Sequence, residues 1–380
     1  MTPTVVPPTS LSEVPAASGV VLEEFFARAV PVAGEISPVV GHAAEIVADF
    51  VRYGGKRVRP TFGYAGWLCG IGHPDRRPPQ PEQTATDALR VCAALELVQA
   101  CALIHDDIID HSDTRRGRPT VHRLFEQHHR ESGWSGDAAD HGVAAAILAG
   151  DFALAWADDM VAGHSPAGAD PTDAAPTPLP AGVGSTWAAM RTEVLGGQYL
   201  DIVNEASGDD SVEAAYRVMR YKTAAYTVAR PLELGARMAG APPQLLDDLA
   251  AVGHDLGIAF QLRDDILGVF GDPDRTGKPS GDDLVEGKRT VLLASGLRRA
   301  TDRDPALADR LRGYLGRTLD SDELAGARSI LVDVGARAEV EDRVDGLLGS
   351  AIARLDAADI AAGVRTELCG LAESIAHREA

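Results

Sequence analysis

Apolar residues recur at three- and four-residue intervals through most of the chain, which is the spacing of amphipathic helices. The stretches with this pattern run from about Val21 to Tyr53, from about Asp87 to Asp110, over 142–162, and from about 184 to the C-terminus with breaks at 241–243 and 271–283. The second of these is strongly apolar and predicts one long apolar helix. No stretch shows the convincing alternation of a strand, so we expect an all-α fold.

Proline-rich and polar stretches separate the helical patterns. Residues 1–18 are rich in Pro, Ser and Thr and predict a disordered tail. Residues 71–86 carry four prolines and predict a loop, and the five prolines of residues 164–184 exclude a helix and predict an insertion between two helices. We therefore expect residues 19–380 to form a single all-α domain with this Pro-rich insertion.

Histidines gather in the polar stretch 126–141 and just before it. His122, His128, His129 and His141 lack the tight spacing of a zinc site. We expect a solvated loop over this stretch.

Composition narrows the classes of partner. Apolar residues make up 45% of the chain, and its abundant alanine favours helices. The net charge of −20 disfavours nucleic acids and anionic lipid. The four cysteines lack ligand spacing and are typical of a reducing compartment, and no uninterrupted apolar run reaches the roughly 20 residues of a membrane span. With no secretion signal at the start, we expect a soluble cytoplasmic protein without stable membrane insertion.

Three carboxylates lie near the end of the apolar helix predicted over 87–110. Asp106, Asp107 and Asp110 lie within about a 100° arc of one helix face, where like charges repel strongly because apolar surroundings screen them poorly. Hard divalent cations that also bind phosphate oxygens would relieve this repulsion. Arginines follow in the segment SDTRRGRPTVH. This first aspartate motif therefore suits a metal-bridged diphosphate with a hydrocarbon tail.

Asp-Asp pairs alone carry little information, because the chain has six and most belong to solvated helix faces. One further pair has a similar context: Gln261, Asp264, Asp265 and Gly268 share one face of an apolar helix. Two such acidic helices facing each other would hold Mg²⁺, which indicates phosphoryl chemistry or departure of a diphosphate. The basic turn 54–60, GGKRVRP, is a weaker candidate anion site.

These segments resemble the trans-isoprenyl diphosphate synthases, the polyprenyl synthetase family, and especially bacterial geranylgeranyl diphosphate synthases. The matching segments occur in the family's order within residues 54–290: GGKRVRP, LIHDDIIDHSDTRRGRPTVH, LAGDF, GGQYLDI, YKTAAYTVARPLELGA, FQLRDDILGVFGD and TGKPSGDDLVEGKRT. The resemblance implies an all-α isoprenoid synthase fold, with helices around a deep central cavity, and a homodimer. It also implies Mg²⁺-dependent condensation of isopentenyl diphosphate with an allylic diphosphate such as farnesyl diphosphate.

The resemblance assigns roles residue by residue. The residues expected to bind isopentenyl diphosphate are Lys56, Arg59, Arg116 and Gln99, the last at a position where many bacterial members have His. Those expected to contact the allylic diphosphate are Arg115, Lys222 and Lys278, with Lys288 as a lid residue. The dipoles expected to face a carbocation are Thr223 and Gln261. The expected ligands of three Mg²⁺ ions are Asp106, Asp110 and Asp264, supported by Asp107 and Asp265. The catalytic set is thus Asp106, Asp110, Lys222, Thr223, Gln261 and Asp264.

The second aspartate motif (Asp264–Gly268) departs from the family at Gly268, where many members have a third aspartate. We expect a weaker metal site there, or a water in place of the ligand, but not loss of activity. Small side chains at Cys101 and Ala102, before the first motif, leave room for a long product. Family members that stop at fifteen carbons carry bulky aromatics thereabouts, so we expect twenty carbons or more.

Three alternatives stay open. The first is a synthase for longer polyprenyl diphosphates. The second is a class I terpene cyclase, which would leave Lys56, Arg59 and Arg116 without a role. The third is a non-catalytic subunit that pairs with an active partner, although such proteins usually lack aspartates of the first motif.

Overall fold

The structure, a computed structural model, describes residues 6–164, 177–272 and 281–376. Helices form nearly all of its regular structure, as the periodicity predicted. The chain begins with the 3₁₀ helix Leu11–Glu13 and the α-helices Val14–Ile36, Pro38–Arg52, Val58–Ile71 and Ala85–Ile109. The strands Thr114–Arg115 and Arg118–Pro119 follow, and then the α-helices Val121–Glu131, Ala138–Ala162, Val183–Ser207 and Val212–Val218 and the π-helix Met219–Ala229. The last described elements are the α-helices Arg230–Ala239, Pro243–Phe270, Asp282–Glu286, Val291–Arg303, Pro305–Arg312, Ser321–Asp333, Ala336–Ala357 and Ala362–Ala376.

The chain forms two compact units. One comprises Met1–Trp187 and Pro231–Leu246, and the other comprises Ala188–Arg230 and Asp247–Ala380. The single domain expected over residues 19–380 stays a prediction.

The core of the first unit is built around the helix Ala85–Ile109, hereafter the first aspartate helix. A capping box fixes its start, because the Thr84 hydroxyl accepts the Asp87 amide and the Asp87 carboxylate accepts the Thr84 amide. The helix packs against the helices Ala138–Ala162, Val58–Ile71 and Val14–Ile36. Its side chains Leu89, Leu95, Leu97 and Ile104 are at most 1% exposed. This burial places its C-terminal carboxylates at the edge of an apolar core.

In the second unit, the helix Val291–Arg303 is surrounded by others. It packs against the helices Val212–Val218, Pro305–Arg312, Ser321–Asp333 and Ala336–Ala357. Its first turn, from Val291 to Leu293, is buried. That buried N-terminus matters for the second aspartate motif, described below.

The disordered tail predicted for residues 1–18 is wrong for residues 11–18, which are helical. The Pro-rich composition led to the wrong prediction of disorder, because Pro15 lies in the first turn of its helix, where proline is compatible with helical structure. Leu11 and Val14 are buried, and the Tyr64 hydroxyl donates to the Pro8 carbonyl at 3.1 Å. Residues 1–5 lie outside the described part of the chain.

The loop predicted for residues 126–141 is also shorter than expected. The helix Val121–Glu131 covers its first residues, and the next helix begins at Ala138. The reason is tertiary packing: His129 is buried, and its ring lies 5.9 Å from that of Trp134 and 4.9 Å from that of His141. Most of the insertion expected at 164–184 lies outside the described residues, and the next helix begins at Val183.

Within the part of the chain that the structure describes, two helices are long and apolar enough to cross a membrane by length and composition, namely the first aspartate helix and Ala138–Ala162. The search for uninterrupted apolar runs in the sequence did not detect these two helices, because charged residues occur within both of them. The apolar window of the first is 72% buried, as in a core helix, but that of the second is only 28% buried. We call Ala138–Ala162 the exposed apolar helix, and its free face requires an explanation.

Candidate active site

The first aspartate motif lies at the C-terminal end of the first aspartate helix. Asp106 and Asp107 occupy its last turns, and Asp110 is its C-cap residue. The carbonyl end of a helix carries partial negative charge, so these carboxylates are opposed by the helix dipole as well as by each other. Such an arrangement gains stability when cations bind.

The middle carboxylate of the motif, Asp107, forms an ion pair with Arg115. Arg115 places Nε 2.7 Å and Nη2 2.6 Å from Oδ1 of Asp107, which is completely buried. Burial raises the pKa of Asp107, and the Arg115 guanidinium opposes that rise. Its other oxygen, Oδ2, is buried without a hydrogen-bond partner. Asp107 thus holds Arg115 in place, while Asp106 and Asp110 are the half-buried carboxylates of the motif.

A small hairpin follows the motif, although the sequence predicted no strand. Thr114 pairs with Pro119, and Arg115 pairs with Arg118. The two turn residues, Arg116 and Gly117, have φ values of 54° and 73°, as two-residue hairpin turns require. The hairpin therefore presents three arginines within four residues.

The hairpin reaches the basic turn. The Arg116 Nη1 donates to the Tyr53 carbonyl at 3.4 Å, and a side chain at Gly55 would meet Arg116 Nη2 at 2.9 Å. Among the residues the structure describes, only Arg57, His111 and Arg116 have a positive φ without being glycine. Strained backbone of this kind concentrates at functional sites, and all three residues lie in the basic turn or just after the first motif.

A buried glutamate near these arginines was not predicted. Glu96 lies in the middle of the first aspartate helix and is 7% exposed. Burial raises its pKa, while the guanidinium groups of Arg59, Arg57 and Arg116 oppose the rise. In its ionised form, Glu96 supplies counter-charge to a cluster that would otherwise repel itself. The signal in the sequence is its isolated charge in the apolar run CAALELVQA.

A cavity of about 350 Å³ opens beside the hairpin. Its lining combines three guanidinium groups and one carboxylate with apolar and aromatic side chains: Ile46, Asp49, Phe50, Tyr53, Arg115, Arg116, Arg118, Pro119 and Leu124. The Arg118 guanidinium lies 3.7 Å from the centroid of the Tyr53 ring, a cation–π contact. Such a lining suits a small anion that carries an apolar group.

In the second unit, Lys222 and Thr223 lie in the π-helix Met219–Ala229. Widened turns of this kind are frequent at functional sites. The Lys222 ammonium lies 2.7 Å from the Asp201 carboxylate in the segment GGQYLDI. Gly197 of that segment is required by packing, because a side chain there would come within 2.2 Å of the Lys222 amide nitrogen.

The second aspartate motif lies on the helix Pro243–Phe270, hereafter the second aspartate helix. Asp265 is 2% exposed and accepts hydrogen bonds on both oxygens, from Gln261 Nε2 at 2.8 Å and from the Val291 amide at 3.2 Å. Burial raises its pKa to about 8; the Gln261 amide opposes the rise, and the carboxylates of Asp283 and Asp264 add to it. Asp265 therefore ties two helices together, and Asp264 is the half-buried carboxylate of the pair.

The remaining predicted residues have fewer described contacts. Lys56 is exposed, Arg59 and Gln99 are half-buried, and Lys278 lies outside the described residues. Lys288 forms an ion pair with Glu286. The roles assigned to these side chains stay predictions.

Within the described ranges, no three His, Cys, Asp or Glu side chains form a complete metal site. Magnesium usually takes one or two carboxylates from a protein and the remaining ligands from phosphates and water. Incomplete carboxylate sets are thus compatible with a metal that arrives with a diphosphate.

The comparison with known proteins identifies the family. Residues 41–325 match the family model of the polyprenyl synthetases. The chain belongs to this family. It is therefore a prenyltransferase that makes polyprenyl diphosphates, and the resemblance drawn from the segments is confirmed.

Three relatives show which properties follow from membership of the family and which do not. The structure of a geranylgeranyl pyrophosphate synthase from Corynebacterium glutamicum, complexed with isoprenyl diphosphate and magnesium, superposes with a TM-score of 0.87 at 45% identity and covers 97% of this chain and 100% of that one. A geranylfarnesyl diphosphate synthase from Aeropyrum pernix is 32% identical over 295 residues, 77% of this chain and 80% of its own. A farnesyl diphosphate synthase from Mycobacterium tuberculosis is 31% identical over 320 residues, 79% and 81% respectively. These polyprenyl synthetases differ in product, so the family settles the reaction class but not the chain length.

Proposed function

We propose that this synthase condenses isopentenyl diphosphate with farnesyl diphosphate in a Mg²⁺-dependent reaction and releases geranylgeranyl diphosphate. The observation that carries the proposal is the first aspartate motif, placed at the negative end of a buried apolar helix and beside an arginine hairpin that reaches the basic turn. The Corynebacterium glutamicum protein supports it, because that geranylgeranyl pyrophosphate synthase binds isoprenyl diphosphate and magnesium at 45% identity to this chain.

The donor set fits magnesium. Asp106, Asp110 and Asp264 are half-buried carboxylates, and Mg²⁺ favours a few hard oxygens when phosphates supply others. Bound there, Mg²⁺ neutralises diphosphate charge and improves its departure. We propose that these three aspartates hold three ions per chain.

Basic side chains hold isopentenyl diphosphate. Lys56, Arg59 and Arg116 provide the positive charge and Gln99 a neutral hydrogen-bonding group. Fixing the double bond near the reacting carbon converts a bimolecular step into an effectively unimolecular one. The cluster is restrained before substrate binds, because Arg116 donates to the Tyr53 carbonyl just before the basic turn and because Glu96 interacts electrostatically with Arg59 and Arg116.

Other side chains act on the allylic substrate. Arg115 and Lys222, with Lys278, hold its diphosphate, and each of the first two is already positioned by an aspartate. Thr223 and Gln261 turn their dipoles toward the carbocation. Because Nε2 of Gln261 is bonded to Asp265, its carbonyl oxygen is the atom left to face positive charge. The departing diphosphate accepts the final proton, and Lys288 closes the site.

Product length follows from the small residues before the first motif. Cys101 is buried and Ala102 is half-buried, so neither blocks a lengthening hydrocarbon beside the first aspartate helix. Ala102→Phe should shift the main product from twenty to fifteen carbons while retaining turnover with a shorter allylic starter. An unchanged product length in an active variant would contradict this helix as the ruler.

Product analysis tests the proposed function. The purified protein is incubated with labelled isopentenyl diphosphate and farnesyl diphosphate, with Mg²⁺ or with EDTA, and the extracted prenols are sized. We expect a Mg²⁺-dependent twenty-carbon product. Longer products would overturn the assigned length, and failure to incorporate isopentenyl units would overturn the function.

We also propose a homodimer in the cytoplasm without stable membrane insertion. The exposed apolar helix carries Val143, Ile147 and Leu148 with 37%, 46% and 61% of their surfaces exposed, and a second copy of the chain would cover them. All four cysteines are free thiols, which suits a reducing compartment.

A further inference from the structure

The second aspartate motif lacks its third carboxylate at Gly268, yet the structure places a carboxylate there. Gly268 lies inside a helix without a positive φ, so its backbone does not require glycine. Glycine in a helix interior is destabilising relative to alanine. A side chain at 268 would come within 2.0 Å of Oδ2 and 2.4 Å of Cγ of Asp283. The space of the missing side chain is therefore filled by the Asp283 carboxylate.

This carboxylate lies on the functional face of the second aspartate helix. Residues i and i+4 of a helix are neighbours on one face, with Cβ atoms about 5–6 Å apart. Because Asp283 occupies the Cβ position of Gly268, it stands about one turn from Asp264. Both carboxylates are close enough to Asp265 to raise the pKa of that buried group.

The backbone around Asp283 is fixed. Asp283 belongs to the short helix Asp282–Glu286, whose Leu284 is 1% exposed. The amide of Lys288 donates to the Asp283 carbonyl at 3.0 Å, and the amide of Gly316 donates to the Leu284 carbonyl at 3.0 Å. The carboxylate is thus delivered to Gly268 from a well-anchored segment.

We propose that Asp283 completes the second aspartate motif, supplying from another segment the carboxylate absent at Gly268 and serving the Mg²⁺ bound at Asp264. Two carboxylates converging on one helix face repel each other unless a cation lies near them, and Mg²⁺ favours such oxygen donors. The inference rests on the proposed function for the identity of the metal. It adds one carboxylate donor to the site that the sequence predicts to be weak or water-filled.

Direct metal binding provides the test. Mn²⁺ replaces Mg²⁺, inorganic pyrophosphate replaces the substrate diphosphate, and the free Mn²⁺ signal is measured by electron paramagnetic resonance. Asp283→Asn should weaken one class of Mn²⁺ site about 10- to 100-fold. The matched control is Asp282→Asn, which removes the neighbouring carboxylate of the same short helix and should leave Mn²⁺ affinity unchanged.

Relocating the carboxylate separates a metal role from a packing role. In Asp283→Ala the space beside residue 268 is free, so the double variant Asp283→Ala/Gly268→Asp returns a carboxylate to the same face of the second aspartate helix. We expect the double variant to recover Mn²⁺ affinity to within a few-fold, whereas Asp283→Ala alone does not. Circular dichroism and melting curves confirm that each variant is folded.

Two results would overturn the proposal. One is wild-type Mn²⁺ affinity in folded Asp283→Asn, and the other is failure of the folded double variant to recover affinity. Either would make Asp283 a packing residue even if the wild type forms prenyl products. Conversely, an Asp283-dependent Mn²⁺ site in a protein that incorporates no isopentenyl units would refute the proposed function and retain this inference.

Discussion

Two aspartate–arginine pairs near the first motif differ in burial and therefore in their contribution to stability. The Asp107 side chain is completely buried and that of its partner Arg115 is 22% exposed. Asp113 is 75% exposed and Arg123 is 37% exposed. A charge left alone in a buried place costs far more than one left in water.

A pair of double-mutant cycles measures this difference. Asp107→Asn combined with Arg115→Gln should give a coupling free energy of about 1–3 kcal/mol in urea unfolding without metal. Asp113→Asn with Arg123→Gln serves as the exposed control and should give a coupling close to zero. Equal couplings in the two cycles would contradict the positioning role of Asp107.

Glu96 makes the stability of the folded protein depend on pH. Its pKa is raised in the folded protein, chiefly by burial. Below the unfolded pKa, Glu96 is protonated in both states and costs nothing. As pH rises toward and through the raised folded pKa, the unfolded state ionises first, and stability is lost.

The variant Glu96→Gln removes this titration. As pH rises from the ordinary glutamate pKa of about 4.3 through the raised folded pKa, the free energy of unfolding of the wild type should fall relative to the variant, by at most about 1.4 kcal/mol per pH unit for one proton. Glu131→Gln, at an exposed position, should leave the difference from wild type independent of pH. A wild type that gains stability over the variant as pH rises would show that the nearby arginines outweigh burial.

At the scale of elements, close backbone approach shapes the second unit. The glycine pair of GGQYLDI offers a matched comparison, because a side chain at Gly197 would meet the Lys222 backbone at 2.2 Å whereas one at Gly196 would meet nothing within 4 Å. The helix Val183–Ser207 can approach the π-helix only where glycine stands.

Alanine substitutions test this packing. Gly197→Ala should destabilise the protein by about 1–3 kcal/mol through overpacking, and by displacing Lys222 it should raise KM for the allylic substrate. Gly196→Ala should be neutral or stabilising by up to about 1 kcal/mol, because alanine favours a helix. Urea unfolding and steady-state kinetics report the two effects separately. Equal stability of the two variants would exclude the close approach.

Local periodicity predicted the long helices but not the elements that depend on distant contacts. The π-helix Met219–Ala229 is packed against Gly197, and the N-terminal helix is tied by Tyr64 to Pro8, 56 residues away. The hairpin depends on two consecutive positive φ angles. The hairpin leaves no apolar period in the sequence, whereas the N-terminal helix has one, with Val14, Val21 and Phe25 buried, that its Pro-rich composition masked.

The same limit applies to the site. The aspartates and arginines could be predicted, because their segments retain the family's order. Their partners could not: Glu96 lies beside Arg116 and Asp283 beside Gly268 only once the chain is folded. Residue type thus predicted the chemistry, whereas tertiary structure determines which carboxylates face cations and which hold arginines.

At the scale of the whole molecule, the exposed apolar helix favours association between copies of the chain, whereas the net charge of −20 opposes it. That charge keeps the surface soluble and makes copies of the chain repel each other. A large exposed apolar face must therefore gain enough from burial to overcome the repulsion. Stable interfaces bury about 800 Å² on each partner, and a two-fold dimer presents the same face twice.

Charge placed on that face should therefore separate the dimer. Leu148→Glu would bring two additional carboxylates into a two-fold interface, and we expect dissociation to be favoured at least about 10-fold in sedimentation velocity. Val39→Glu is the matched control, because Val39 is also exposed, at 54%, but lies on another helix of the same unit. This variant should stay dimeric.

A monomeric wild type, or a dimeric Leu148→Glu, would contradict the homodimer built on this face. Co-sedimentation of the wild type with neutral lipid vesicles, lost in Leu148→Glu, would instead assign the face to a membrane surface.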